Sequence, residues 1–182
     1  LLIMKIIKKI SFLSFAILNL INLHFKLRFL GNILDELRMV LLRYAGAKIG
    51  KNSFVHPNVM ILRPENLLIG ERSSIGSNSE IFNYSKFYIG DNVDIGTQFY
   101  VNTNNHKIDD KNQLLAYQGG ISKEIKIGSD IWIGARVTIL SGVQVENRVV
   151  IGAGSVVTKI LQSDYIYAGV PAKKIKKISE KN

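Results

Sequence analysis

Three histidines and no cysteine narrow the chemistry open to this 182-residue chain. Without cysteine there is no thiol nucleophile, no thiolate metal site and no disulfide. Imidazole titrates near neutrality and takes a hydroxyl proton as that oxygen attacks an electrophile. His106 lies in the polar run Asn104-Asn105-His106-Lys107-Ile108-Asp109-Asp110 and is the candidate base. His56, between an aliphatic residue and Pro57, reads as a surface corner residue; His24, among apolar helical residues, reads as structural or interfacial. The chain has no G-x-S-x-G, no P-loop and no carboxylate pair placed as in a glycosidase, and no serine stands out as a Ser-His-Asp nucleophile. A net charge of +10 and a pI near 9.8 favour acidic partners: phosphate-bearing small molecules, an anionic membrane face or nucleic acid. Aromatic residues are not interleaved with basic ones as a single-strand binder needs, so no nucleic-acid partner is expected.

The element that must position His106 is visible as a repeat. From Ile49 to Val157 an aliphatic residue returns every sixth position, often followed by glycine, as in Ile127-Gly128, Ile133-Gly134, Ile139, Val145 and Ile151-Gly152. A helix repeats every 3.6 residues and a strand every two, so period six suits a solenoid of triangular section with one short strand per side. The register runs 49, 55, 61; 69, 75, 81; 89, 95, 101; then 127, 133, 139 and 145, 151, 157. The early coils carry two extra residues at one corner, Arg63-Pro64 and Lys86-Phe87. Small residues four places after the aliphatic, such as Ser53, Ser73, Ser79, Val137 and Ser155, suit tight internal corners, and proline and glycine suit the turns. At one strand spacing per coil, about five or six coils make a prism about 25–30 Å tall whose ends need caps.

Residues 1–45 lack this period and read as helix. Lys5, Lys8, Lys9, Ser11, Asn19, Asn22 and Lys26 share one side of a helical wheel, with Phe12 and Phe15 intruding on it. The apolar run Ile10 to Leu23 is shorter than the roughly 20 residues that span a bilayer, and no small-x-small cleavage site follows it. Two readings stay open: peripheral contact with an anionic membrane through residues 1–30, or packing on the solenoid or a sister subunit. A second helix is expected over about Asn32 to Tyr44, with Asp35 and Glu36 in its first turn and Gly46 as its left-handed stop. At the other end, the basic tail 172–182 carries Ile175 and Ile178 at helical spacing and reads as a short capping helix. The solenoid proper is assigned to 46–171.

The period breaks once on a large scale, over residues 102–126, and His106 lies on that excursion. Excursions from a rigid solenoid are where function concentrates.

The run IGSDIWIGARVTILSGVQVENRVVIGAGSVVTK from Ile127, followed by Tyr167-Ala168-Gly169-Val170-Pro171-Ala172-Lys173, closely resembles the hexapeptide-repeat acetyltransferases, nearest those acting on sugars and surface polysaccharides. The resemblance covers roughly residues 45–178. It implies a left-handed parallel β-helix, a homotrimer with active sites between subunits, and acetyl-CoA as co-substrate. It further implies His106 as the catalytic base, Asn83 in the acceptor site, Trp132, Gly134 and Ala135 near the pantetheine and thioester, Ala153, Thr158 and Lys159 along the CoA groove, and Lys173 near the nucleotide phosphates. Trp132 reads equally as packing, and the Lys173–Lys177 stretch equally as a solvated tail. Alanine at 135, where several sugar acetyltransferases carry serine, leaves the oxyanion to a backbone N–H of Gly134 or Ala135.

The expectation is acetyl-CoA-dependent O-acetylation of a sugar hydroxyl, in a surface polysaccharide or a lipid-linked glycan, on the cytoplasmic side, peripheral to the inner membrane face. Asp109, Asp94 or a backbone carbonyl would orient the imidazole, and Asp109 is assigned with Asn83 to the acceptor site. A drug, serine or nucleotide-sugar amine is the alternative acceptor; a non-catalytic solenoid is a further alternative. A γ-class carbonic anhydrase on the same scaffold would need three zinc-binding histidines, and this loop offers only His106, with Lys111 five places on, so no metal is expected.

Overall fold

The computed structural model describes residues 2–20 and 28–179. His24, Asn22, Lys26 and Lys181 lie outside the described residues. From Lys48 the chain winds as a left-handed parallel β-helix with three faces. The first face stacks Lys48–Ile49, Leu67–Ile69, Phe87–Ile89, Ile125–Ile127 and Gln144–Val145. The second stacks Phe54–Val55, Ser74–Ile75, Val93–Ile95, Ile131–Ile133, Val149–Ile151 and Tyr165–Ala168. The third stacks Met60–Ile61, Glu80–Phe82, Tyr100–Asn102, Thr138–Ile139 and Val156–Val157.

The six-residue period becomes vertical columns: Ile49 pairs with Ile69, Ile69 with Ile89, Ile89 with Ile127, and Ile127 with Val145. Ile75, Ile81, Val101, Ile133, Ile139 and Val157 are each 0 % exposed, so one aliphatic per side fills the prism. The corner serines do more than fit. Ser53 Oγ donates to the Gly70 carbonyl (2.7 Å) and accepts from the Ser73 N–H (2.9 Å), and Ser73 Oγ repeats this one coil on, with Gly90 and Val93. The turns differ from expectation in residue type. The left-handed position three after the aliphatic is held mostly by side-chain-bearing residues, among them Asn52, Asn58, Arg72, Asp130 and Arg148, with glycine only at Gly142 and Gly154. Asn and Asp tolerate this conformation readily. For Arg it costs about 1–2 kcal/mol, offset by the coil-to-coil ladder. Close approach is where glycine is indispensable: a Cβ on Gly134 would sit 2.6 Å from the Ala153 nitrogen of the next coil.

The extra corner residues bring in a second inward side chain on the first face. Leu67 pairs with Phe87, and Phe87 with Ile125, all 0 % exposed. The excursion is therefore shorter than 102–126: Asn102 still pairs with Phe82, and the chain re-enters the ladder at Ile125.

Both ends are capped. The N-terminal helices are α1 (Leu2–Leu20) and α2 (Arg28–Tyr44). Met39 and Leu42 of α2 are buried against the first coil, and the Val55 N–H donates to Met39 Sδ (3.3 Å). Helix α2 starts at Arg28 rather than near Asn32, so Asp35 and Glu36 are not in its first turn. Asp35 instead pairs with Arg38, one turn on in the same helix and only 1 % exposed. Gly46 ends the helix with φ +114°, as expected. At the other end the tail is not a helix. Lys173–Lys177 is a strand antiparallel to Tyr165–Ala168, because the last parallel strand presents an open edge that the tail pairs. Its four lysines make it a poor template for further pairing. Tyr167 closes the core at 5 % exposure, its hydroxyl accepting from the Gln162 N–H (2.9 Å) and donating to the Gln162 carbonyl (3.2 Å).

Candidate active site

The arm carrying His106 leaves the corner between the third and first faces. Its root is Thr103, 0 % exposed, whose N–H donates to the Phe82 carbonyl (3.0 Å) and whose carbonyl accepts from the Lys123 N–H (2.8 Å) and Ser141 Oγ (2.7 Å). Above this root, Asn104–His106 and Gly120–Ser122 form an antiparallel pair with His106 opposite Gly120. The loop beyond is braced by Gln118, whose Nε2 donates to the carbonyls of Asp110 (2.9 Å) and Gln113 (3.0 Å) and whose Oε1 accepts from the Asp110 N–H (3.0 Å). Neither Thr103 nor Gln118 stands out in the sequence. The nearest signal to the brace is Gly119-Gly120 directly after Gln118, where Gly119 has φ +77° and allows the return turn.

His106 itself is exposed, and among the described residues no group bonds its imidazole. Asp109 is exposed on the same arm and does not contact it; Asp94 sits on the second face, accepting from Ser74 Oγ (2.6 Å) and paired in register with Trp132. Neither carboxylate orients the imidazole within one chain.

Asn83, the residue the resemblance assigned to the acceptor site, is bonded to the main chain at both ends of its amide. It is 0 % exposed; its Oδ1 accepts from the Arg63 N–H (2.9 Å) and its Nδ2 donates to the Arg63 carbonyl (2.6 Å). The side chain clamps two coils together one coil below the root of the arm.

The residues assigned to the CoA groove fall into two patches. Trp132 points outward from the second face at 60 % exposure in the single chain and lines an open groove of about 570 Å³ with Asp94, Arg148 and Val150. Gly134, Ala135 and Ala153 follow at the corner between the second and third faces. The Gly134 N–H is consumed by the Ile151 carbonyl (2.8 Å), whereas among the described residues nothing accepts from the Ala135 N–H. The column continues upward, since Ala168 lies over Gly152 and pairs with Lys173, whose side chain is exposed. Thr158 and Lys159 are exposed on the other corner of the third face, above Leu140 and Ser141, the corner from which the arm leaves. One chain thus puts His106, Thr158 and Lys159 at one edge of the third face and Trp132, Ala135, Ala153 and Lys173 at the other.

Elsewhere, a hollow of about 600 Å³ between α2 and the first coil is lined by His56, Asp35, Glu36 and Arg43, apart from both patches. Among the described residues no cluster of histidine and carboxylate side chains could hold a metal ion.

Comparison with known proteins agrees with this architecture. The family model described as bacterial transferase hexapeptide (six repeats) matches residues 124–159. The chain is 33 % identical over 147 residues to galactoside O-acetyltransferase of Escherichia coli strain K12, covering 81 % of this chain and 71 % of that one. It superposes on a maltose O-acetyltransferase from Clostridium difficile 630 with TM-score 0.78 and 29 % identity, covering 98 % of this chain and 89 % of that one. A hexapeptide-repeat acetyltransferase from Vibrio cholerae O1 biovar eltor, complexed with acetyl coenzyme A, matches with TM-score 0.73 and 30 % identity over 79 % of this chain and 77 % of that one. With its stacked hexapeptide columns, its single braced arm and this degree of identity to a sugar acetyltransferase, the chain belongs to the hexapeptide-repeat acetyltransferases.

Proposed function

We propose that this protein transfers the acetyl group of acetyl-CoA to a sugar hydroxyl of a surface polysaccharide or its lipid-linked precursor, on the cytoplasmic side where acetyl-CoA is held. The observation that carries the reading is an exposed imidazole, with no partner among the described residues, on the arm that leaves the prism. His106 takes the acceptor's hydroxyl proton as the oxygen attacks the thioester carbonyl. A C–O bond forms, the carbonyl oxygen becomes an oxyanion, and the free N–H of Ala135 is the donor placed to stabilise it. Collapse of the tetrahedral intermediate breaks the C–S bond, and the thiolate leaves with the proton held by His106. Trp132 lies alongside the pantetheine, and Lys173 supplies positive charge to the phosphates.

The separation of the two patches favours a homotrimer in which the arm of one copy reaches the second-face patch of the next. The arm's exposed apolar residues support this: Ile108, Leu114, Leu115 and Tyr117 are 73, 71, 63 and 72 % exposed. Single apolar side chains on a surface are ordinary, but several on one excursion support a contact.

The test is acetyl-CoA turnover against a panel of glycan acceptors, with His106→Ala alongside. The substitution should lower turnover about 10²–10⁴-fold and leave acetyl-CoA affinity within a few-fold of the parent. Undiminished turnover in that variant excludes His106 as the base.

A further inference from the structure

Helix α1 faces the wrong way for a protein surrounded only by water. Its packed side is Ser11 and Phe15, 8 and 2 % exposed, with Phe15 seated in the same core cluster as Met39 and Leu42. Its outward side is a stripe of Ile6, Ile10, Leu13 and Ile17, exposed by 47, 59, 63 and 53 %. Steps of four, three and four residues keep these side chains in one line along the helix. Lys9 adjoins one flank of the stripe, Lys5 lies farther round on that side, and Lys8 lies opposite the stripe, near Phe15 on the helical wheel. A water-facing helix turns its isoleucines inward, and α1 cannot rotate to do so without pulling Phe15 out of the core.

We propose that this stripe docks in the headgroup region of an anionic lipid bilayer, with α1 lying in the membrane plane. Charge selects this occupant over a stripe-to-stripe pairing of two copies. Residues 1–34 contain no aspartate or glutamate, so two copies paired stripe to stripe would bring like charges together with nothing to neutralise them. Anionic headgroups complement Lys5 and Lys9 while the isoleucine and leucine side chains enter the acyl boundary. Among the described residues no helix is long and apolar enough to cross a membrane, which leaves the in-plane geometry. The site would then be held against the bilayer, beside acceptors carried on lipid. The docking does not depend on the proposed chemistry.

The experiment is flotation of the full chain with vesicles of phosphatidylcholine alone or with about a third phosphatidylglycerol. The parent protein should float with the anionic vesicles, and rising salt should release it. The double variant Ile10→Gln/Leu13→Gln should bind at least about ten-fold more weakly, and the triple variant Lys5→Gln/Lys8→Gln/Lys9→Gln should lose the preference for anionic vesicles. All these side chains are exposed, so both variants should keep the parent's thermal midpoint and its acetyl transfer to a soluble sugar. A parent protein that stays out of the anionic vesicles overturns the proposal. So does a double variant that floats as well as the parent. A drop in oligomeric mass with vesicle binding unchanged overturns it in favour of a copy-to-copy contact.

Discussion

At the scale of residues, the distinction that matters is which polar groups the fold has already spent. The Asn83 amide is committed at both ends to the Arg63 main chain, and the Gly134 N–H is committed to Ile151. Among the described residues the His106 imidazole and the Ala135 N–H have no such partner, which is what the proposed reaction requires of them. Asn83→Ala should therefore act on stability. Removing both bonds leaves the N–H and carbonyl of Arg63 to find new partners, at a cost of about 1–3 kcal/mol. Thermal melting together with acceptor KM checks this: a lower midpoint with unchanged KM is expected, whereas a raised KM at unchanged stability would return Asn83 to the acceptor site.

At the scale of elements, the arm is a hairpin whose root is rigid and whose far loop depends on Gln118. Buried Thr103 ties the root to the coils on either side, so the position of His106 relative to the prism is set by the ladder. Beyond it, one side chain satisfies three backbone groups of Asp110 and Gln113. Gln118→Ala frees those groups in an exposed loop, where water replaces them, so global stability should change little. Loss of alignment should still lower kcat by about ten- to a hundred-fold, because misplacement of a catalytic group is costly. Steady-state kinetics with a thermal melt would separate this outcome from unfolding. The arm and the solenoid were legible to different degrees for the same reason. The solenoid repeats its signal in every coil, so Ile127, Ile133 and Ile139 each confirm the others. The brace uses one glutamine once, with no period to announce it.

At the scale of the whole molecule, the two patches lie on opposite edges of the third face, and the proposed trimer would build each site from two copies. If His106 and the Trp132–Ala153 corner come from different subunits, two inactive variants can repair one another. His106→Ala mixed with a groove-blocking Ala153→Tyr, unfolded and refolded together, should regain about a quarter of the parent activity per interface, the fraction of neighbouring pairs in a random trimer that retain both intact parts. Separately refolded variants, mixed afterwards, are the control. Activity that stays at the level of that control would show that each site is built within one chain.

The spacing of aliphatic residues was enough by itself to determine the prism, its corners, the coil from which the arm departs and the histidine that the arm carries. That is possible because each inward residue is set by its distance along the chain from the last one, and the coil simply repeats that distance. Only the tertiary structure decided the rest. It turned the lysine-rich tail from a helix into an edge strand, because the neighbouring Tyr165–Ala168 strand had an edge to fill. It buried Arg38 of α2. It spent Asn83 on Arg63, a residue 20 positions away. And it turned the isoleucine stripe of α1 outward, because Phe15 had a place in the core and those residues did not. Each outcome depends on a neighbour brought in from another coil or element, which no local pattern encodes.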